Sequence, residues 1–260
     1  MRDAQFPTAP PGPLLLPVWG AAQPLLLSLV VPTYNESVNI RPFLETLREN
    51  LDPLLDCRYE VIVVDDDSPD GTFEAAARMA QDYPQLRLMR RIGERGLSTA
   101  VIRGWQVSRG AILGTINADF QHPSALFPEM MRKMDSADLV VATRYAKGGS
   151  VGEFPLHRRV LSGCARRLGG LLAPEVFGRV TDPLSGFYLF RRCAIEGVEL
   201  RPTGFKTLIE ILGRGSIERV AECGYQMQSR RGGHSNVKWR HSVDYLVQLG
   251  RIRIEAKRPR

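Results

Sequence analysis

Short β-branched runs set between amphipathic stretches constrain this chain more than any other feature. Val61-Ile62-Val63-Val64 has no polar alternate position, so a strand there needs apolar cover on both faces. The same periodicities predict strands at 25–31, 59–64, 85–89, 111–116 and 138–143. Between them, apolar residues spaced three and four apart predict helices at about 37–50, 72–82, 97–108 and 123–134. Strands that alternate with helices pair in parallel, so the expected fold is α/β, a doubly wound, mostly parallel sheet with helices on both faces. The domain is expected to run over 25–240.

Residues 1–24 carry six prolines and few charges, and read as a flexible arm without a packing face of its own. Residues 241–260, with Val243, Leu246, Val247 and a basic end, read as an amphipathic helix or tail. A chain of 260 residues buries enough surface to fold without disulfides. The four cysteines are scattered and show no C-x-x-C spacing, which favours a reducing compartment and argues against a zinc site. Prolines at 10, 11, 13 and 17 interrupt Leu14-Leu15-Leu16, so a secretory leader is not expected. The apolar run Leu25–Val31 stops at Pro32, far short of the ~20 residues of a spanning helix. A cytoplasmic location is therefore expected, and the net charge of +7 points to an anionic partner.

In a doubly wound sheet, ligands bind beyond the carboxyl ends of the strands. Three polar clusters fall there: Pro32-Thr33-Tyr34-Asn35-Glu36, Asp65-Asp66-Asp67-Ser68-Pro69-Asp70-Gly71-Thr72 and Asn117-Ala118-Asp119. Asp70 and Thr72 suit a turn and a helix cap. Three consecutive carboxylates exceed what a turn needs, and one or two of them can accept hydrogen bonds from a ribose or a base. Asp119 and Gln121, two apart in a segment expected to be extended, would point to one side and offer oxygens to a hard cation, Mg2+ or Mn2+. Neither a P-loop nor a dinucleotide fingerprint occurs.

These clusters, together with NADFQHP at 117–123, Ala142-Thr143-Arg144-Tyr145, DPLSGF at 182–187 and Gly204-Phe205-Lys206, resemble the successive signatures of one family. It is the dolichyl-phosphate mannose synthase branch of the inverting GT-A, family 2 glycosyltransferases, and the resemblance covers about 28–240 in order. The resemblance implies transfer of a hexose, usually mannose from GDP-mannose, onto a polyprenyl monophosphate. It implies that Asp65 and Asp66 bind the nucleoside and that Pro32, Tyr34 and Glu36 line the base and ribose pocket. Asn117 and Ala118 would lie along the nucleotide sugar. Asp119 and Gln121, with Asn117, would hold the metal. Arg144, Arg159 and Ser162 would approach the acceptor or donor phosphate, with Arg231 and Lys238 adding contacts, so that Asp119, Arg144 and Arg159 carry the catalysis.

The chain departs from that family at two places. Asn117 stands where the family usually has the first Asp of Asp-x-Asp, which removes one negative charge and predicts weaker or water-bridged metal binding. Ser235-Asn236-Val237-Lys238 replaces a Ser-Lys-Leu run, leaving open whether Lys238 takes that lysine's place.

A polyprenyl phosphate is already anionic, so neither His122 nor His157 is expected to act as a base. Leu156, Val160, Leu161, Cys164, Leu168, Leu171 and Leu172 fall on one helical face beside Arg158, Arg159, Arg166 and Arg167. That face suits either core packing or a helix lying on an anionic membrane, with a membrane-protein partner as a further option. The alternatives are UDP-glucose transfer to undecaprenyl phosphate or to a polysaccharide or soluble acceptor, and a catalytically silent regulator. Nucleic acid is not an expected partner, because the basic residues gather around apolar faces rather than on an aromatic platform.

Overall fold

A computed structural model of the chain describes residues 5–18, 25–150, 152, 163, 167–202, 206–229 and 247–251. Among these, seven strands form one sheet in the order β3-β2-β1-β4-β6-β5-β7. They are β1 (Leu25–Thr33), β2 (Tyr59–Asp65), β3 (Leu86–Arg90), β4 (Gly110–Thr115), β5 (Leu139–Thr143), β6 (Tyr188–Arg191) and β7 (Val220–Gly224). Helices α1 (Ser37–Leu55), α2 (Thr72–Met79), α3 (Leu97–Gln106), α4 (Phe127–Met134), α5 (Pro174–Phe177) and α6 (Thr207–Arg214) connect or flank them.

Every residue of β2 is buried, as a strand with helices on both faces must be. Leu29, Val31, Val61 and Val63 point into one apolar cluster with Phe43, Leu44 and Leu47 of α1, Ala76 of α2 and Met130 of α4. Val30, Ile62 and Val64 point into the other, with Ala100, Val101 and Trp105 of α3 and Leu208, Ile209 and Leu212 of α6. The period of two in the strands thus divides the core into two layers.

α1 extends beyond the expected residue 50 because its buried stripe continues through Leu51 and Leu55. It ends where Asp56 takes a left-handed φ of 45°. Sequence periodicity did not place β6, whose Tyr188-Leu189-Phe190 run is short. β6 runs antiparallel between β4 and β5, while the β1–β2, β1–β4, β2–β3 and β5–β7 pairs are parallel.

The amino-terminal arm is a correction. Over residues 5–18 it has a packing face: Leu16 is fully buried, and Ala9 and Leu14 lie against the same apolar cluster as α3 and α6. Leu14 and Leu16 carbonyls accept from the Leu200 and Gly197 amides at 2.9 and 3.2 Å. The arm's carbonyls are satisfied by the fold, which offsets the missing N–H groups of its prolines. Near the other end, Leu249 is buried and Gln248 donates to Glu210 of α6 at 3.0 Å, so residues 247–251 also join the core.

Candidate active site

β1 lies between β2 and β4, and the chain crosses from one side of β1 to the other between β3 and β4. The crevice at such a switch point opens beyond the carboxyl ends of β1 and β4. The loops following β1, β2 and β4 meet there.

The first two loops are braced to each other. Ser68 Oγ accepts from the Asn35 amide at 3.0 Å, Thr72 Oγ1 from the Glu36 amide at 2.9 Å, and Asp70 Oδ2 from the Ser37 amide at 3.0 Å. Asn35 and Asp67 adopt left-handed φ values of 58° and 54°, which Asn and Asp tolerate better than most residues. Asp65, expected beside the nucleoside, is instead fully buried and engaged in the turn. Its carboxylate accepts from Thr33 Oγ1 at 2.9 Å, the Ser68 amide at 2.8 Å and Ser68 Oγ at 2.6 Å. Its carboxylate is thus taken up by the turn, unlike that of the next residue in sequence, its neighbour.

Asp66 is that neighbour. Arg91, just past β3 and fully buried, grips Asp66 Oδ1 with its Nε at 2.7 Å and a second guanidinium nitrogen, and the Gly96 amide donates to Oδ2 at 2.8 Å. Burial pushes the Asp66 carboxyl up, against the opposing pull of the Gly96 amide and Arg91. Asp67 turns outward to Arg90 at 2.7 Å. Tyr34 is half-buried with the Arg95 guanidinium over its ring at 4.9 Å. Glu36 accepts from Asn39 at 2.7 Å, and Pro32 is buried within β1.

The segment after β4 is a turn, not the extended stretch expected. Phe120 has a φ of 61°, and the Gln121 amide folds back to donate to Asp119 Oδ1 at 3.1 Å. The turn forms because Phe120 buries its ring edge-on against Phe43, 5.3 Å between centroids, leaving Asp119 to cap the bend. The side-chain alternation that would have put Asp119 and Gln121 on one side therefore does not apply. Asp119 is nonetheless only 3% exposed and stands at the crevice. The Ala118 side chain belongs to the apolar core, so only its backbone is left for a ligand.

A third stretch completes the site, from residues that sequence reasoning quoted without giving a role. Asp182, buried before β6, takes a two-point ion pair from Arg144 at 2.8 and 3.1 Å. Gly186 lies so close to the Asn117 side chain that an added Cβ would sit 2.8 Å from it and 3.5 Å from His122 Nε2. Lys206 donates to the Leu184 carbonyl at 2.6 Å, tying the same loop down. Burial lowers the Lys206 ammonium to about 8, although Asp182 and Asp119 oppose the shift. His122 packs between Phe187 and Tyr225 with Nδ1 buried and without a hydrogen-bond partner, and burial lowers it to about 4. Asp119, Arg144, Asp182, Lys206 and His122 thus form one electrostatically coupled group. Arg91 was missed because its role depends on the β2–β3 register, which composition does not reveal. Asp182 and Lys206 carried a signal, the DPLSGF and Gly-Phe-Lys runs. Arg159, Ser162, Arg231, Lys238 and His157 lie outside the described residues.

The oxygens of Asp119, Asn117 and Gln121 are hard donors and suit Mg2+ or Mn2+ shared with substrate phosphates. Among the described residues, no three His, Cys, Asp or Glu side chains form a ready-made metal cage, so a cation here would depend on ligand oxygens as well.

The family model for Glycosyl transferase family 2 matches residues 28–198. The chain belongs to this family. It is 37% identical to a dolichol-phosphate mannosyltransferase of Pyrococcus furiosus over 87% of the chain and 63% of that protein, so it spans less than two thirds of that relative's length. It is 31% identical to the Saccharomyces cerevisiae dolichol-phosphate mannosyltransferase over 85% of each chain. An undecaprenyl-phosphate mannosyltransferase of Micrococcus luteus is 30% identical over 66% of this family 2 chain and 68% of its own. Among solved structures, mannosyl-3-phosphoglycerate synthase from Rubrobacter xylanophilus matches with a TM-score of 0.64 at 22% identity, over 91% of this chain and 77% of its own. Glucosyl-3-phosphoglycerate synthase from Mycobacterium tuberculosis, solved with Mn2+, UDP-glucose and phosphoglyceric acid, matches with a TM-score of 0.58 at 22% identity, over 88% and 80%. The fold of this family 2 member is the GT-A fold, with an antiparallel β6 set into the sheet.

Proposed function

We propose that the chain transfers a hexose from a nucleotide sugar, mannose from GDP-mannose, to the phosphate of a polyprenyl monophosphate, with inversion at the anomeric carbon. The observation that carries this reading is the group of Arg144 and Lys206 beside Asp119. Cations gather there, while Asp182 is committed to Arg144. A hydroxyl acceptor would call for a carboxylate or histidine base. Asp182 is held in its ion pair and His122 is sealed between two rings, so an acceptor that arrives already anionic fits the site better. The named activities of the P. furiosus and S. cerevisiae relatives support the same acceptor class.

Asp66 and Tyr34 would hold the nucleoside at the β1–β2 side of the crevice. Arg144, oriented by Asp182, would face a phosphate through Nη1, which in this structure donates to the weak acceptor Met227 Sδ at 3.8 Å. A divalent cation held by Asp119 with Asn117 and Gln121 would neutralise the diphosphate as it leaves. What the chain contributes is positioning and charge neutralisation, since the acceptor oxyanion needs no deprotonation. The acceptor would be met at a membrane surface by peripheral, reversible attachment.

A radiolabelled panel tests the reading: GDP-mannose and UDP-glucose, each with dolichyl phosphate, undecaprenyl phosphate and 3-phosphoglycerate. Label is expected in the lipid phase from GDP-mannose, and exclusive transfer to 3-phosphoglycerate would overturn the acceptor. Asp119→Ala is expected to abolish transfer at saturating Mn2+, and near wild-type turnover would remove Asp119 from the metal role.

A further inference from the structure

The amino-terminal arm reaches Asp66, the carboxylate proposed above for the nucleoside, through an unbroken chain of side-chain contacts. Two residues one turn apart on α3 clasp the arm. Arg103 donates to the Gly12 carbonyl at 3.0 Å, and Gln106 Nε2 donates to the carbonyls of Pro13 and Leu15, both at 3.0 Å. The two are joined, Arg103 Nη1 donating to Gln106 Oε1 at 2.9 Å. Below them Leu16 is fully buried in the α3–α6 core, so this stretch of arm is anchored by apolar burial as well as by its carbonyls.

From Arg103 the contacts run inward. Its Nη2 reaches Glu94 Oε1 at 3.4 Å, and the other Glu94 oxygen takes Arg91 Nη1 at 3.2 Å. Arg91 is the residue that grips Asp66, and it also donates to the Gly96 carbonyl at 3.0 Å, while the Gly96 amide closes on Asp66 Oδ2. Arg103 is 6% exposed and Arg91 2%, so the charges act where water screens them little. Glu94, half-exposed, is the link that two arginines hold in place, and Gly93 and Gly96 on either side of it have φ values of 80° and 135°. The loop carrying Glu94 therefore depends on side-chain ties to keep one position.

We infer that Arg103 is a positioning residue for the donor site: seating of the amino-terminal arm on α3 fixes Glu94 and Arg91, and so fixes Asp66 for the nucleoside. The inference rests on the nucleoside-binding role proposed above for Asp66. Its consequence is that loosening the arm weakens the donor without touching the acceptor.

Three full-length variants test it. Gln106→Met removes two arm contacts and none of the contacts recorded for Glu94 or Arg91. Arg103→Met removes the link itself, and Arg103→Lys keeps the charge while losing the fork that reaches Gly12, Glu94 and Gln106 together. Two readouts are needed: amide exchange at Gly96, whose N–H is held by Asp66, and titration with GDP and UDP in the presence of Mn2+. Gln106→Met and Arg103→Met are expected to speed exchange at Gly96 and to weaken nucleoside diphosphate binding about three- to tenfold. The donor KM should rise by the same factor, with kcat and the acceptor KM unchanged, and Arg103→Lys should fall between. A merely structural role would lower the melting temperature and leave Gly96 exchange and the donor KM of the folded enzyme where they were. Wild-type exchange at Gly96 in all three folded variants overturns the coupling, whatever the nucleotide does. A wild-type protein that binds neither GDP nor UDP overturns the proposed function instead.

Discussion

Two single residues decide how the crevice handles charge. Asn117 brings an amide where a second carboxylate would double the negative charge beside Asp119. Fewer charges lower cation affinity, but in the metal-free protein they also spare Asp119 a repulsive neighbour. Asn117→Asp is therefore expected to bind Mn2+ on the order of tenfold more tightly by calorimetric titration, and equal affinity in both proteins would end this account. His122 is expected to make the fold acid-sensitive. Buried and without a partner at Nδ1, it is held near 4 while an unfolded histidine titrates near 6.5. Between those values the unfolded chain holds a proton that the folded one lacks, so stability falls as pH drops from about 6.5 to about 4. By the free energy of one pKa unit the loss approaches about 3 kcal/mol. Metal-free wild type and His122→Phe, unfolded in urea at pH 7 and pH 4.5, should differ in this: the variant escapes the part of the acid loss that His122 causes. Parallel losses in both would place the acid sensitivity elsewhere.

At the scale of elements, the loops after β1 and β2 behave as one unit because Ser68, Asp70 and Thr72 each take an amide from the other loop or from the start of α1. Asp65 is part of that unit, its carboxylate engaged by Thr33 and Ser68. Its neutral isostere should weaken three charge-assisted bonds, each worth about 1.5–3 kcal/mol at most. Asp65→Asn is expected to cost about 2–4 kcal/mol in urea unfolding while the folded enzyme keeps its donor KM within about threefold. A large rise in KM at unchanged stability would return Asp65 to the nucleoside. The alternation of β1 to β5 with α1 to α4 was legible from periodicity, since each strand and helix shows its own repeat. The switch point followed from that order. The part that was not legible is what register and turns decide. β6 is too short to show a repeat, and it is this antiparallel strand that carries Asp182 toward Arg144. Phe120 overrides alternation by burying its ring, and nothing in the segment's polarity announces a left-handed residue there.

At the scale of the whole molecule, the arm shows why composition misleads. Six prolines in 1–24 suggest a chain with nothing to bury, yet Leu16, with Ala9 and Leu14 against the same cluster, and a few carbonyls hold residues 5–18 across α3. The net charge of +7 bears on a different question, how the chain would meet the lipid acceptor proposed above. Among the described residues no helix is long and apolar enough to cross a membrane. At helical residues 167–172, however, Leu171 is 75% and Leu168 40% exposed, beside an exposed Arg167. Exposed leucines flanked by a basic residue can enter the headgroup region, where each Lys or Arg adds roughly 1 kcal/mol on an anionic leaflet. Burying one leucine contributes about 1.5–3 kcal/mol. The chain is thus expected to float with vesicles containing anionic phospholipid, and less so with zwitterionic ones or as salt is raised. Leu171→Glu should lower vesicle binding about tenfold and leave GDP binding intact, because Leu171 lies outside the crevice residues. Binding that ignores both salt and Leu171 would move the membrane contact to another surface.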